Sequence, residues 1–129
     1  MALLPSTQGR AGPLFTDVLD LHVTEHGTDA RVVTVGGEID TLTAPELAVF
    51  VIAQLVAVPL VVLDLDGVQF LGSAGLSVLV KANKLAAQQG RRLRLVCHSG
   101  MVNRALDVTG LRDQFTFADT VSAALQDSP

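Results

Sequence analysis

The fold is decided by residues 60–75, which read LVVLDLDGVQFLGSAG. Residues 60–65 form an apolar, largely β-branched run interrupted only by Asp64, which predicts a strand covered on both faces. A turn of small residues is predicted at 72–75, and it presents the hydroxyl of Ser73. Because helical spacing of apolar residues follows this turn, we expect Ser73 to lie at the mouth of a helix.

The segments on either side of this stretch alternate between strand and helix patterns. Residues 19–26 and 30–35 predict two strands that form a hairpin through a turn at 26–29, and residues 36–40 are expected to leave the second strand. Further patterns predict helices at 44–57, 76–89, 101–108 and from 119 or 120 to about 126, and strands at 93–97 and 115–117. The order predicts a single α/β domain: a mixed, mostly parallel sheet with an N-terminal hairpin and about four helices packed against it.

The helix predicted at 44–57 is apolar on nearly every side. It begins at Thr43-Ala44-Pro45-Glu46, which has the form of a capping box, with the threonine hydroxyl accepting from a free helical amide. Residues 47–63 carry no charge, but a membrane span is disfavoured because this run is at the short limit of the ~17–25 residues needed and contains Gln54 and Pro59. The outer residues have two possible interpretations. They form a contact face, either for a partner or for a second copy of the chain, or they are an incidental set of surface side chains. They are Ala48, Val49, Ile52, Ala53 and Val56.

Composition and charge limit the possible classes of function. At 129 residues the chain is long enough for one domain, which we place at 16–127 after a flexible tail at 1–15. The tail lacks the apolar segment of a secretory signal and the single cysteine, Cys97, suits a reducing compartment, so we expect a cytoplasmic protein. A net charge of −4 argues against general affinity for nucleic acid. Residues 67–106 nevertheless contain bases and no acid, which indicates either a partner surface or scattered solvated charges.

Five short motifs occur in an order and spacing that resemble a known family. They are GEID at 37–40, TAPEL at 43–47, LDLDGVQF at 63–70, SAGL at 73–76 and LDVTGL at 106–111. Together they resemble a STAS domain, and they are similar above all to the bacterial anti-sigma factor antagonists of the SpoIIAA kind. The resemblance covers about residues 17–125, which is nearly the whole chain.

The resemblance implies a partner-switching role in transcription regulation and stress response. An unphosphorylated antagonist of this family binds a serine-kinase anti-sigma factor and so releases the sigma factor. The kinase phosphorylates one serine at the start of the helix after the central strand, which ends the binding, and a phosphatase resets the antagonist. By position that serine is Ser73, whose plainest role without the resemblance would be to cap the helix.

The resemblance also implies which residues surround that serine. The residues expected at the partner-binding site are Asp40, Thr43, Asp64, Asp66, Gly72, Ala74 and Gly75. The three aspartates are expected to share one rim of the sheet, so that a phosphate would deepen an acidic patch and repel the partner without refolding. The sequence departs from the frequent family pattern Asp-Ser-Ser-Gly, because glycine replaces the aspartate and alanine replaces the second serine.

Other classes of function are disfavoured by the residues themselves. Ser73 does not lie in a hydrolase nucleophile elbow, because position 71 is Leu and no acid separates the serine from His98, the only later histidine. No lysine follows the glycines at 72–75 to make a phosphate-binding Walker loop. We therefore expect no enzymatic activity, cofactor or metal. A STAS scaffold, or an antagonist that is never phosphorylated, stays open as the alternative in a stress-signalling assembly.

Overall fold

A four-stranded sheet forms the centre of the structure, a computed structural model that describes residues 19–126. The strands are β1 Leu19–His26, β2 Ala30–Ile39, β3 Leu60–Leu71 and β4 Arg92–Val96. The helices are α1 Ala44–Ala57, α2 Ser73–Gln88, α3 Gly100–Thr109 and α4 Val121–Leu125, with a 3₁₀ turn at Arg112–Gln114. The sheet order is β1-β2-β3-β4, with β1 antiparallel to β2 and the other pairs parallel. The predicted α/β fold is confirmed; the predicted tail at 1–15 lies outside the described residues.

Helices cover both faces of the sheet, but unequally. Alternate residues of a strand point to opposite faces, and Val61, Leu63 and Leu65 of β3 pack in the main core with side chains of α1, α2 and α3. Leu60 and Val62 pack in a smaller core beneath α4. The apolar run of β3 is therefore covered on both faces, as its sequence predicts. Because the parallel strands β2 and β3 each lead into a helix, α1 and α2 begin at the same end of the sheet.

Two strands are longer than the sequence predicts. Strand β2 does not end before residue 36, because Gly36 and Gly37 pair with Gly67 and Val68 of β3 across a shift in register. The glycines permit a close approach of the two backbones, since a Cβ on Gly67 would lie 3.2 Å from the Gly36 Cα. Strand β3 continues to Leu71, and the break in its apolar pattern coincides with a shift of register against β2 rather than with the end of the strand.

Two further local predictions are wrong. Residues 72–75 do not form a turn, because α2 begins at Ser73 and these small residues supply its cap and first turn. Small residues are ambiguous here, since they are common both in turns and at helix ends. Residues 115–117 do not form a strand, because Phe117 makes one isolated parallel bridge to Leu95 of β4.

Helix α1 buries one side and exposes the other, as predicted. The buried apolar residues on its inner side are Ala44, Leu47, Val51 and Leu55. On the outer side Val49 is 72 % exposed and Val56 is 50 % exposed. Gln54 is buried, and its amide oxygen accepts a 2.8 Å hydrogen bond from the Arg31 guanidinium of β2, which satisfies the polar group. Among residues 19–126 no helix has the length and apolar character needed to cross a membrane.

Candidate partner-binding site

Ser73 is the first residue of α2, and its side chain is exposed. Gly72 precedes it as the N-cap residue, with φ −88° and ψ −179°, so no side chain caps the helix. The plain interpretation that Ser73 is the N-cap is therefore wrong. Leu76 is the first residue whose amide bonds back along the helix, to the Gly72 carbonyl at 3.0 Å. The amides that precede it in the first turn have no partner within α2, and they make this end of the helix electropositive.

Asp40 and Thr43 follow the end of β2, which is joined to the start of α2. The Gly72 amide donates a 2.9 Å hydrogen bond to the Ile39 carbonyl, which places the residue after β2 beside the start of α2. The buried Thr43 hydroxyl donates to the Glu38 carbonyl at 2.7 Å and accepts from the Asp40 amide at 2.9 Å. The site therefore includes a buried hydroxyl that fixes the link between β2 and α1.

The predicted capping box at the start of α1 is wrong. Thr43 is the N-cap residue, but its side chain makes no capping hydrogen bond, because the hydroxyl is turned back toward β2. The Asp40 carboxylate holds this turn instead and accepts from the amides of Leu42 at 2.9 Å and Thr43 at 3.0 Å. This arrangement leaves the Leu42 side chain 74 % exposed beside the site.

Gly75 allows α2 to pack closely on the ends of the two strands. A Cβ on this residue would lie 2.5 Å from Ile39 Cγ2 and 2.6 Å from Leu71 Cδ1, and both of those side chains are buried. Contacts this short are not tolerated in a packed core. Gly75 therefore determines how closely the start of α2, which carries Ser73 and Ala74, packs on the sheet.

Asp64 and Asp66 do not lie on the same rim as Asp40, so that expectation is wrong. Asp64 follows Val62 on the face of β3 that α4 covers, whereas α1 and α2 pack on the other face. Along β3, the five residue steps from Asp66 to Leu71 correspond to about 16 Å of extended chain. The surroundings of Ser73 are therefore less acidic than the sequence suggests.

Asp66 instead binds His98, the residue two positions after β4. Its carboxylate accepts from the His98 amide at 2.6 Å and lies 3.0 Å from the ring Nδ1. Partial desolvation raises the pKa of Asp66, but the hydrogen bonds from His98 outweigh this effect and hold the pKa below its ordinary value. The hydrogen bond and the charge of Asp66 raise the pKa of His98 above 6.5. These two groups form an exposed ion pair away from Ser73.

We expect the Asp66→Asn substitution to lower the pKa of His98 toward 6.5, its ordinary value. Protonated His98 stabilises the fold fully below about pH 6.5, its unfolded value, and this contribution is lost as the pH rises through the higher folded pKa. Ionised Asp66 stabilises the fold above about pH 3.9, and its contribution is lost as the pH falls through the lower folded pKa. An NMR titration of the imidazole protons measures the shift, and an identical midpoint in the two proteins would contradict it.

Two grooves flank α2 on the side where Ser73 is exposed. The larger, about 470 Å³, lies between α2 and the end of α3, and Leu76, Val80 and Leu111 supply its apolar lining. Ser73 lines this groove as well. The smaller, about 340 Å³, lies between α2 and α1. Lys81 lines both grooves, with Lys84 also in the larger one, and no acid lines either groove in the described part of the chain.

The two lysines are site residues that the sequence did not assign. The helical spacing of Ser77, Lys81, Lys84 and Gln88 in the sequence predicts an exposed polar stripe on α2, and all four residues are exposed. The stripe also continues the helical spacing from Ser73. That spacing was the available signal, but the groove itself exists only because the end of α3 packs beside α2.

A chain with this mixed sheet and these helices has the fold of a STAS domain, and a model of that family matches residues 22–124. The chain belongs to the STAS domain family. It is 32 % identical over 111 residues to the anti-sigma-F factor antagonist RsfB of Mycobacterium tuberculosis, an alignment that covers 84 % of this chain and 88 % of that protein.

Solved structures show the same relationship. The crystal structure of an anti-sigma factor antagonist from Mycobacterium paratuberculosis has a TM-score of 0.76 and 32 % identity, and the match covers 85 % of this chain and 93 % of that one. Unphosphorylated SpoIIAA has a TM-score of 0.70 at 16 % identity, over 83 % of this chain and 94 % of its own. The phosphorylated form of the Bacillus SpoIIAA has a TM-score of 0.65 at 16 % identity, over 83 % and 97 % of the two chains. These last two matches show a shared fold.

Proposed function

We propose that this chain is an anti-sigma factor antagonist that binds a serine-kinase anti-sigma factor, releases its sigma factor and is switched off by phosphorylation at Ser73. The observation that supports this most is the exposed Ser73 hydroxyl at the uncapped start of α2, beside an apolar groove. Relatives that align with most of the chain are named anti-sigma factor antagonists. A phosphatase that removes the phosphate completes the cycle.

The start of α2 suits a phosphate group. A phosphoserine carries about −1.5 to −2 charges at neutral pH. The free amides of the first helical turn and the positive end of the helix dipole stabilise such an anion locally. Modification at this position therefore changes the partner surface without requiring the helix to unfold.

The proposed partner surface surrounds Ser73 and includes exposed apolar side chains. We assign its framework to Asp40, Thr43, Gly72, Ala74 and Gly75, the residues that the family resemblance implies. Asp64 is left out because it lies on the other face of β3, and Asp66 because it lies about 16 Å along the strand from Leu71. Leu42 and Phe70 are both exposed there, and the Phe70 ring lies against Gly72, since a Cβ on that glycine would be 3.1 Å from Phe70 Cε2. Exposed apolar groups beside an apolar groove are a feature of binding surfaces.

The test is incubation of the chain with ATP and a panel of serine-kinase anti-sigma factors, including the anti-sigma-F factor antagonised by RsfB and the anti-sigma-B factors antagonised by the relatives from Staphylococcus and Listeria. One kinase is expected to bind the unmodified chain and to add one phosphate at Ser73, seen by mass spectrometry. Phosphorylation should then weaken binding at least about tenfold, because the new charge must be desolvated at the interface.

Ser77→Ala is the matched control, because Ser77 is an exposed serine one helical turn further along the same groove. Phosphorylation should survive in this variant and be lost in Ser73→Ala. The Gly72→Asp variant restores the residue that is frequent at this position in the family, and we expect the kinase to phosphorylate Ser73 faster in this variant. The substitution should be tolerated, because the backbone angles of Gly72 suit any residue and only the half-exposed Phe70 ring must move. Phosphate incorporation that persists in Ser73→Ala would contradict the proposed site.

A second candidate function is a STAS scaffold that assembles through the outer face of α1. The exposed Val49 and Val56 favour it, because apolar residues on the outside of a helix are typical of a contact face. The same face could instead join two antagonist chains as a homodimer. Sedimentation velocity separates these cases: a large assembly supports the scaffold, and a monomer or dimer that binds a kinase supports the antagonist.

A further inference from the structure

The exposed side of α2 carries two lysines, Lys81 and Lys84, in a chain whose net charge is −4. The whole chain has 13 acids and 9 lysines and arginines. The two grooves beside α2 are nevertheless lined by apolar residues, by serine and threonine side chains, and by Lys81 and Lys84, and no acidic side chain lines them among residues 19–126. Both lysines are exposed. The charge that the sequence places between residues 67 and 106 therefore lies partly in grooves that a partner can enter.

The shape of this surface fits an amphipathic helix. From Ser73 to Lys84 the exposed side of α2 extends over roughly 16 Å, about three helical turns. An apolar stripe of a partner helix can fill the space over Leu76, Val80 and Leu111. Lysine side chains at the border of such a groove pair best with carboxylates, because opposite charges at the rim guide docking and set its register.

We propose, on the basis of the antagonist function above, that the grooves beside α2 bind an acidic amphipathic helix of the anti-sigma factor, whose carboxylates pair with Lys81 and Lys84. This proposal adds the chemistry of the partner segment, which the family relationship does not specify. It also adds two basic residues to a site whose predicted charged residues are all aspartates.

The proposal gives phosphorylation a direct electrostatic effect. Ser73 lines the larger groove, so a phosphate there faces the same space as the partner helix. The carboxylates that pair with Lys81 and Lys84 lie about 12–16 Å along α2 from Ser73, beyond the ~8 Å Debye length at physiological salt, so a phosphate of about −1.5 to −2 acts on the part of the acidic helix that lies over the first turn of α2. The lysines attract the acidic helix to the unmodified chain, and the phosphate repels it from the modified one.

The first experiment needs no kinase. The probe is a short synthetic helix with leucines at i, i+3, i+4 and i+7 and glutamates beside them, compared with the same peptide carrying glutamine for glutamate. The glutamate peptide is expected to shift the amide resonances of Leu76, Ser77 and Val80 and to bind more weakly as salt increases. Equal binding of the two peptides, or no shift at the grooves, would overturn the proposal.

Charge reversal on the protein supplies the matched comparison. The double substitution Lys81→Glu and Lys84→Glu should weaken the binding of the glutamate peptide at least about tenfold, because attractive charge pairs become repulsive. Arg104→Glu makes the same change per residue at an exposed base on α3 that lines neither groove, and it should change binding less than about threefold. If Arg104→Glu weakened the binding of the glutamate peptide as much as the double substitution does, the net charge of the protein would explain the binding and the docking proposal would fail. Circular dichroism checks that the variants stay folded.

The same variants with the kinase separate the two proposals. If a kinase modifies Ser73 and binds the lysine variant as tightly as the unsubstituted chain, the docking proposal fails and the antagonist function stands. If no kinase in the panel binds while the glutamate peptide still occupies the grooves, the antagonist function fails and the preference of the grooves for acidic helices stands.

Discussion

The Gly75→Ala substitution is expected to destabilise the protein by about 1–3 kcal/mol, the usual cost of overpacking a core. The added methyl group would lie 2.5 Å from Ile39 Cγ2 and 2.6 Å from Leu71 Cδ1. Neither side chain can move aside easily, because both are buried at the ends of their strands. The gain in helix propensity from glycine to alanine, about 0.5–1 kcal/mol, is smaller than this cost. Urea unfolding measures the difference.

Gly100→Ala is the matched control for Gly75→Ala. Gly100 is also in the first turn of a helix, but a Cβ on it meets no atom within 4 Å. Alanine there should leave stability unchanged or raise it by up to about 1 kcal/mol. Amide spectra should show shifts around Ser73 only in the Gly75 variant, because α2 must move away from the sheet. Equal stabilities of the two variants would contradict the close packing described for α2.

Thr43→Val should destabilise the protein by about 1–3 kcal/mol, although it preserves the shape of the side chain. The substitution removes the hydroxyl that donates to the Glu38 carbonyl and accepts from the Asp40 amide. Thr43 is only 5 % exposed, so water cannot readily replace these hydrogen bonds. The turn that carries Leu42 should loosen as well, and amide hydrogen exchange of that turn should become faster.

Thr43→Ser separates the hydroxyl from the methyl group. Serine keeps both hydrogen bonds, so it should recover most of the stability that Val loses and keep slow exchange at Asp40. A Ser variant as unstable as the Val variant would assign the effect to packing and exclude the hydroxyl as the cause.

The sequence predicts the elements well where local pattern and tertiary structure agree. The apolar run of β3, the polar stripe of α2 and the start of α4 all follow from periodicity and end signals. The sequence offers Asp119 or Thr120 as the cap of α4, and the structure has Thr120, whose hydroxyl accepts from the Ala123 amide at 2.9 Å. Ser73 is at the start of a helix as predicted. Its role stays a proposal, because the role came from a family pattern rather than from local chemistry.

The errors arise where one residue type serves two physical purposes. Glycines such as Gly36 and Gly37 are found both where a strand ends and where two strands approach closely. Only their pairing with β3 shows that the second explanation holds here. Thr43 and Glu46 match a capping box, yet the hydroxyl has a better partner in the end of β2. The family resemblance implies that Asp64 lies beside Ser73, and the sequence of β3 does not correct this, because the strand is apolar on both sides of its pleat and does not show which face receives α1 and α2.

Residues 116–118 restrict how two copies of this protein can associate. The Leu95 amide of β4 donates to the Thr116 carbonyl at 2.9 Å, and the Leu95 carbonyl accepts from the Ala118 amide at 2.9 Å. The guanidinium of Arg112 lies 4.9 Å from the centre of the Phe117 ring and holds the segment in place. This short segment occupies the backbone groups of Leu95 that a foreign strand would need, so extension of the sheet is blocked at this point of β4. At Leu95, association between chains must therefore use side chains rather than a backbone ladder.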